Sequence, residues 1–303
     1  MVKSKTIVTC AVTGASLTPS MSPALPVTGK EVAEQSIGAN RAGAAIIHLH
    51  ARKPDGSPTN AIAAWKEFVP EIRAETDAII NMSASLGSSA EDRLEAVLAL
   101  RPDIATVIVG SMNYGLFRKA ENQGVSTFNT EWERKAFGPA AYEIVTSNSF
   151  AKIDRMIDIL IDQGIAMEFE CYDVGHLYIL EHHLSRKQVK RPLIVQFLTG
   201  ILGGISSEID NLLFMKRTTE RLFGPDVQIF THGTGTGNIK AATQGALMGT
   251  HVRVGQEDNL FEFPGKPFAS NAAQVEKIGR IFGEFGIELA TPAEARGILG
   301  LNS

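Results

Sequence analysis

Short apolar runs alternate with longer amphipathic stretches along nearly the whole chain. Each apolar run is about four to eight residues long, which is the length of a strand buried on both faces of a sheet. These runs predict strands at 6–12, 45–50, 78–83, 104–109, 166–171, 193–198, 227–231 and 251–255. The stretches between them predict helices at 28–42, 61–75, 90–100, 147–162, 206–222, 239–248 and 272–285.

About eight β–α units are the number that a closed parallel barrel requires. An open, doubly wound sheet is the competing architecture, and it usually carries a glycine fingerprint after its first strand. The first apolar run here is followed by Thr13-Gly14-Ala15-Ser16-Leu17, which lacks that fingerprint. We therefore predict an α/β fold, a (β/α)8 TIM barrel that forms a single domain over residues 1–303.

One stretch departs from the regular alternation of strand and helix. Residues 112–146 make a long connection between the fourth strand and its helix, and several asparagines, glycines and a proline interrupt it. Connections of this length inside a compact domain are usually functional or disordered. The pattern is compatible with a cover over the barrel mouth and equally with a surface decoration.

Composition narrows the class of protein. Apolar residues make up 44% of the chain and charged residues 20%, which suffices for a large buried core. The net charge of -4 argues against a nucleic-acid partner or an anionic membrane. No apolar run approaches the ~20 residues of a membrane span, and the first residues lack the apolar stretch of a secretory signal. Two cysteines, Cys10 and Cys171, cannot build a disulfide framework, so we expect a soluble protein of the reducing cytoplasm.

The second strand ends in two histidines. In Ile46-Ile47-His48-Leu49-His50 the side-chain period of two points His48 and His50 the same way, into the upper lumen of the barrel. Two imidazoles on one face suit Zn²⁺ or a similar divalent ion. The alternative is a pair of histidines that bond to neighbours in a polar layer.

A catalytic zinc needs a third ligand, and the last strand offers one. Arg253, Gly255 and Glu257 share parity, so an extended chain would aim Arg253 and Glu257 into the lumen. Since the last strand lies close to the second in a closed barrel, Glu257 can meet the histidine pair there. Asp258 would then be a carboxylate beside the metal and a candidate general base. The alternative for Glu257 and Asp258 is an acidic pair that a helix dipole stabilises.

Other strand ends are polar as well. Ser83 ends the third strand, and Ser111 and Asn113 follow the fourth; such hydroxyls and amides can bind a carboxylate or carbonyl without adding charge. The fifth strand carries Glu168 and Glu170 on one face. Buried carboxylates need a partner, which indicates an ion pair with Arg253, either catalytic or purely structural.

A glycine-rich turn follows the seventh strand and opens a helix. It reads His232-Gly233-Thr234-Gly235-Thr236-Gly237-Asn238. Backbone amides at a helix N-terminus bind anions, and barrels often place phosphate sites after their seventh and eighth strands. Glycine-rich loops that merely turn the chain are the alternative.

Several segments together resemble the β-keto acid cleavage enzyme family, whose founding activity is 3-keto-5-aminohexanoate cleavage. The similarity covers nearly the whole chain. It is carried by Cys10-Ala11-Val12-Thr13-Gly14-Ala15, Ile46-Ile47-His48-Leu49-His50-Ala51-Arg52, Gly110-Ser111-Met112-Asn113, Glu170-Cys171-Tyr172-Asp173 and His251-Val252-Arg253-Val254-Gly255-Gln256-Glu257-Asp258-Asn259.

The resemblance implies a zinc-dependent (β/α)8 barrel that condenses a β-keto acid with acetyl-CoA and releases acetoacetate and a new acyl-CoA through an enolate and a retro-Claisen step. It implies zinc ligands, a general base tuned by an ion-pair chain, and residues for the substrate carboxylate. By position, the implied zinc ligands are His48, His50 and Glu257. The implied general base is Asp258, tuned by Arg253 and Glu170. The implied residues for the substrate carboxylate are Ser83, Ser111 and Asn113. Gly233 and Gly235 are the expected contacts for a phosphate of coenzyme A. Iron, cobalt or manganese could replace zinc in such a site.

Position 16 departs from the family pattern. Members that use amino substrates carry a glutamate there, which meets the substrate ammonium, whereas this chain has Ser16. Without that counter-charge a cationic side chain is not selected, so we expect a neutral or anionic β-keto acid.

Two other functions compete with this one. An amidohydrolase-like metal-dependent hydrolase is also a barrel with a His-x-His strand, but it should carry further histidines at the ends of strands five and six, and strand six ends without one. A metabolite-binding barrel with a structural metal would not need so many charges in its lumen. We expect a homo-oligomer, a dimer or a tetramer.

Overall fold

A computed structural model describes residues 5–301. Eight parallel strands close into a barrel in which each strand pairs with its neighbours in the chain, and the last pairs with the first. We number them β1 (Val8–Ala11), β2 (Ile46–Leu49), β3 (Ile79–Met82), β4 (Ile104–Ile108), β5 (Ala166–Cys171), β6 (Leu193–Thr199), β7 (Val227–Gly233) and β8 (His251–Val254). The predicted (β/α)8 barrel is confirmed, and its helices pack around the strands.

Each of the seven predicted stretches is helical, and four further helices within residues 5–301 lie outside them. The helices are α1 (Gly29–Arg41), α2 (Ile62–Lys66), α3 (Val69–Glu75), α4 (Ala90–Leu100), α5 (Phe117–Asn122), α6 (Glu131–Phe137), α7 (Phe150–Gln163), α8 (Val174–Leu184), α9 (Ile209–Phe223), α10 (Asn238–Leu247), α11 (Asn271–Glu284) and α12 (Pro292–Ile298). The single helix predicted at 61–75 is wrong, because two short helices occupy that stretch. Pro70 lies in the first turn of α3, where it lacks the N–H that a continuous helix would need.

The connection between β4 and α7 has its own structure. It opens at Met112–Asn113 and closes at Val145–Thr146, and these two pairs of residues form a short antiparallel sheet. Between them lie α5, α6 and a 3-10 turn at Pro139–Glu143. Side chains from both helices line the cavity above the barrel, so this segment lies over its C-terminal end.

The barrel interior divides into an apolar lower part and a polar upper part. Below, residues from five strands form one buried cluster, which Ala295 of α12 and Leu299 just after it close. Above, the pairing register sets Ala11 of β1 beside His48, and His48 beside Asn81 of β3. Polar side chains of neighbouring strands therefore meet at one level, at the end of the barrel where active sites of this fold lie.

Within residues 5–301 the helices are all too short or too polar to cross a lipid bilayer.

Candidate active site

Two histidines and a glutamate converge at the upper end of β2. The Nε2 atom of His48 lies 3.6 Å from Oε2 of Glu257, and Nε2 of His50 lies 3.4 Å from Oε1. Ligands at ~2.0–2.2 Å from a tetrahedral ion are roughly 3.3–3.6 Å apart, so this spacing fits a shared ion. Both ring nitrogens of His48 and Oε2 of Glu257 are buried and have no hydrogen-bond partner among residues 5–301. Unpaired buried polar atoms are costly, and a bound cation would satisfy them.

Glu257 reaches the histidines by a turn. The prediction that an extended strand carries it there is wrong, because β8 ends at Val254 and Gly255 adopts a φ of 133°. The backbone N–H of Glu257 then donates to the carbonyl of Ala11 on β1, at 3.1 Å. A Cβ on Gly14 would overlap the Glu257 side chain. Glycine at position 14 therefore makes room for the glutamate.

Arg253 connects the carboxylates of the site. It is almost fully buried, and its Nε and Nη2 atoms donate to the two oxygens of Asp258 at 2.8 and 3.1 Å. Nη2 also donates to Oε1 of Glu257 at 2.6 Å. Burial alone would raise the pKa of Glu257, but the guanidinium of Arg253 lowers it well below its ordinary value. Glu257 is therefore ionised and keeps its second oxygen for a ligand.

The two glutamates of β5 differ in their partners. Glu170 lies 3.7 Å from Nη1 of Arg253, too far for a hydrogen bond, and burial raises its pKa to about 8. Glu168 accepts a hydrogen bond from the amide of Asn81 at 3.0 Å, and burial raises its pKa to about 7. Arg253 thus bonds to Asp258 and Glu257, while Glu170 is mostly a neutral acid at pH 7.

A cavity of about 670 Å³ opens above these residues. Its walls include seven of the residues that the sequence singled out. They are Ser16, His50, Ser83, Glu170, Arg253, Glu257 and Asp258.

Ser111 and Asn113 lie outside this cavity. Both are exposed, and Oγ of Ser111 accepts a hydrogen bond from the backbone N–H of Asn148 at 2.8 Å. Their alternating neighbours Met112 and Tyr114 line the cavity in their place. The short strand at 112–113 therefore turns the predicted carboxylate-binding side chains away from the cavity.

The glycine-rich turn after β7 lines a second cavity, of about 600 Å³, beside the first. Gly235 is part of its wall, and Asp258 borders both cavities. The N–H of Gly235 already donates to the carbonyl of Asp258 at 2.8 Å, so it is not free for an anion. Gly233 is the last residue of β7 and does not line this cavity.

Three polar neighbours of the site were not among the predicted site residues. Asn81 lies beside His48 on the next strand, and Nδ1 of His232 lies 3.9 Å from Oδ2 of Asp258. Both stand at strand ends, which was the signal that marked His48. The third, Lys119 of α5, lines the main cavity. It belongs to the long connection, where no strand periodicity indicates the direction of a side chain.

Comparison with known proteins identifies the family. The sequence model of the beta-keto acid cleavage enzyme family matches residues 5–301. A 3,5-dioxohexanoate:acetyl-CoA acetone transferase of Paraburkholderia graminis is 43% identical, over 99% of this chain and 96% of that protein. A 3-keto-5-aminohexanoate cleavage enzyme of Acetoanaerobium sticklandii is 32% identical, over 98% of this chain and 99% of that one.

Among solved structures, apo ObcA shares the fold with a TM-score of 0.75 at 18% identity, over 93% of this chain and 66% of ObcA. This likeness concerns the fold, and the chain spans about two thirds of ObcA. The family match and the two relatives confirm the resemblance inferred from the motifs: the chain belongs to the beta-keto acid cleavage enzyme family.

Proposed function

We propose that this enzyme transfers acyl groups between a neutral or anionic β-keto acid and acetyl-CoA, and that it depends on a divalent metal, with zinc preferred. The observation that carries the proposal is the convergence of His48, His50 and Glu257 beside the Arg253–Asp258 pair at the mouth of the barrel. Acetoacetate and a new acyl-CoA are the products.

The residues present fit a metal ion. Two imidazoles and a carboxylate are the ligands of many catalytic zinc sites, which leave one position open, and the ligand atoms all lie within 4.8 Å of one another. Burial lowers the pKa of His48 well below its usual value despite the nearby Glu257, so its imidazole is neutral and can ligate. The bound ion would supply Lewis-acid polarisation of the substrate oxygens.

Asp258 is the proposed general base. It borders the cavity, and Arg253 binds both of its oxygens and so fixes its orientation. The hydrogen between the two carbonyls of a β-keto acid is acidic for a C–H bond, so a carboxylate can accept it. The carbanion attacks the thioester carbonyl of acetyl-CoA and releases the thiolate of coenzyme A.

The thiolate then attacks the other acyl carbonyl. The carbon–carbon bond breaks, and the electron pair returns to the acetoacetate carbon, which takes back the proton from Asp258. Cys10 and Cys171 are buried, and burial raises the pKa of both thiols. No cysteine nucleophile is needed, because coenzyme A supplies the sulfur.

Ser83 is the proposed contact for the substrate carboxylate. Ser83 follows β3 and lines the cavity. Ser111 and Asn113 could reach the cavity only if the short sheet formed by residues 112–113 and 145–146 rearranged. Gly233 and Gly235 remain a hypothesis for coenzyme A; only Gly235 lines the second cavity beside Asp258, and its N–H would have to leave the carbonyl of Asp258 to bind a phosphate.

The substrate class follows from Ser16, which places a hydroxyl and not a carboxylate at the cavity wall. The 43% identical relative is named for 3,5-dioxohexanoate, which carries no ammonium group. A hydrolase of the amidohydrolase type lacks comparable support, because the one metal-ligand cluster found within residues 5–301 has no histidine from β5 or β6.

An acetyl-CoA-dependent assay over several β-keto acids, combined with metal analysis, tests the proposal. We expect acetoacetate only when both the metal and acetyl-CoA are present, and at least a ~100-fold loss in Asp258→Asn. Hydrolysis of substrates without coenzyme A would overturn it. Sedimentation of the same preparations tests the proposed dimer or tetramer.

A further inference from the structure

Lys119 brings a cation to the rim of the barrel. It belongs to α5, in the connection that lies over the C-terminal end of the barrel, and its Nζ atom donates to Oγ of Ser16 at 2.6 Å. Both side chains line the main cavity, together with Glu257 and Asp258. A residue of the long connection thus contacts Ser16, at the position after β1 where the resemblance implies a glutamate in members that use amino substrates.

The Lys119 ammonium has unused hydrogen-bonding capacity. It carries three donors, and Ser16 is the one acceptor that it reaches among residues 5–301. Burial lowers its pKa to about 8, although the carboxylates of Asp258 and Glu257 counteract this, so the group is mostly charged at pH 7. A partly buried cation with two free donors favours an oxygen acceptor inside the cavity.

The order of the strands indicates which part of the substrate meets this pair. Ser16 follows β1, His50 follows β2 and Ser83 follows β3, and these three strands are neighbours in the barrel. A β-keto acid with its carboxylate near Ser83 and its keto group near the histidines would extend its far end toward Ser16. Lys119 bonds to that same serine.

We propose that Lys119 and Ser16 bind an oxygen at the distal end of the β-keto acid, either the oxygen of a second ketone or that of a second carboxylate. The inference rests on the proposed function and specifies its substrate class. A substrate that ends in an alkyl group would leave the two donors of Lys119 unpaired, and sites built around a hydrogen bond reject such analogues.

The experiment compares three β-keto acids that differ at the distal end. They are 3-oxohexanoate with an alkyl end, 3,5-dioxohexanoate with a ketone, and 3-oxoadipate with a carboxylate. Dissociation constants are measured by calorimetry on metal-loaded protein without acetyl-CoA, so that they do not depend on turnover. The kcat and KM values for each keto acid and for acetyl-CoA are measured in parallel.

Lys119→Met removes the charge, and Lys135→Met is the matched control, because Lys135 is an exposed lysine in the same connection. We expect Lys119→Met to bind at least one of the oxygen-bearing acids roughly 10- to 100-fold more weakly, the equivalent of one charge-assisted hydrogen bond. Binding of 3-oxohexanoate should change less than about threefold, and Lys135→Met should match the wild type. The acid that loses more affinity identifies the distal group.

Two results would overturn the inference. One is an equal loss for all three acids, and the other is an effect confined to the KM for acetyl-CoA, which would assign Lys119 to that co-substrate. Lys119→Gln repeats the test if the methionine variant folds poorly. If Lys119→Met weakens the binding of the oxygen-bearing acids selectively but the wild type forms no acetoacetate, the proposed function is contradicted and the role of Lys119 is supported.

Discussion

Loading the metal site should raise the thermal stability of the protein, and His50 should be required for that rise. The perturbation is the addition of Zn²⁺ to chelator-treated protein, in the wild type and in His50→Gln. An ion that binds the folded chain alone stabilises it by RT ln(1 + [L]/Kd), about 2.7 kcal/mol at one hundred times the dissociation constant. The unpaired nitrogens of His48 and the free oxygen of Glu257 supply that differential affinity, because the unfolded chain does not bring them together.

Differential scanning calorimetry measures the effect. Domains of 150–250 residues shift by roughly 2–4 °C per kcal/mol, and this chain is longer, so we expect a rise of about 5 °C. His182→Gln is the matched control, since His182 is exposed on α8 and lies outside the cluster. The control should show the full rise, and His50→Gln should show little.

An equal rise in the wild type and in His50→Gln would show that zinc acts somewhere else in the molecule. Absence of any rise in the wild type, with zinc at micromolar excess, would refute the proposed ligand set directly. Because each variant is compared with its own metal-free form, the cost of the substitution itself does not enter the comparison.

Three further predictions concern the charges of the barrel. Arg253→Met leaves Asp258 buried without its partner, so urea unfolding should show a loss of about 3–5 kcal/mol; a loss below about 1 kcal/mol would contradict the ion-pair account. His251 has a pKa lowered by burial to about 4, so between pH 6.5 and 4 the unfolded chain takes up a proton that the folded chain refuses. The free energy of unfolding should therefore fall by up to about 3 kcal/mol over this pH range, and it should fall less in His251→Gln. An equal fall in the wild type and in the variant would exclude His251 as the cause. In Ser16→Glu the new carboxylate should pair with Lys119, so this variant should gain no preference for 3-keto-5-aminohexanoate in a competition assay. Ser16→Glu combined with Lys119→Met should gain that preference. A preference in the single variant would show that the lysine does not neutralise the new carboxylate.

The barrel and its strand-end chemistry could be predicted because they rest on local periodicity. A period of two over 45–50 is enough to put His48 and His50 on one face, and the strand count then fixes which strands are neighbours. The structure brings Glu257 to the same place by a different route, since a turn at Gly255 replaces the extended chain. The nearness of strand ends in the barrel therefore predicted correctly that Glu257 meets the histidines. The alternation of side-chain direction did not hold beyond the last residue of β8.

The long connection could not be predicted in the same way. Its short helices have no strand neighbour to fix their direction, and their positions depend on contacts with the rim of the barrel. Lys119 reaches Ser16 across 103 positions of sequence, and Ser111 faces away from the cavity because of one short antiparallel pairing. Such long-range contacts leave no local pattern.

The charges around the cavity favour a substrate that has already lost its α proton. Glu257 and Asp258 contribute two negative charges, and Arg253 and Lys119 contribute two positive ones; Glu170 adds none because burial raises its pKa to about 8. Arg93 and Lys152 line the same cavity, so the positive charges already exceed the negative ones, and a dication bound by the two histidines of β2 and Glu257 would add two more. Removal of the α proton gives the enolate one more negative charge than the β-keto acid. The site therefore complements the enolate better than the ground state, and only interactions of that kind lower the barrier to proton removal.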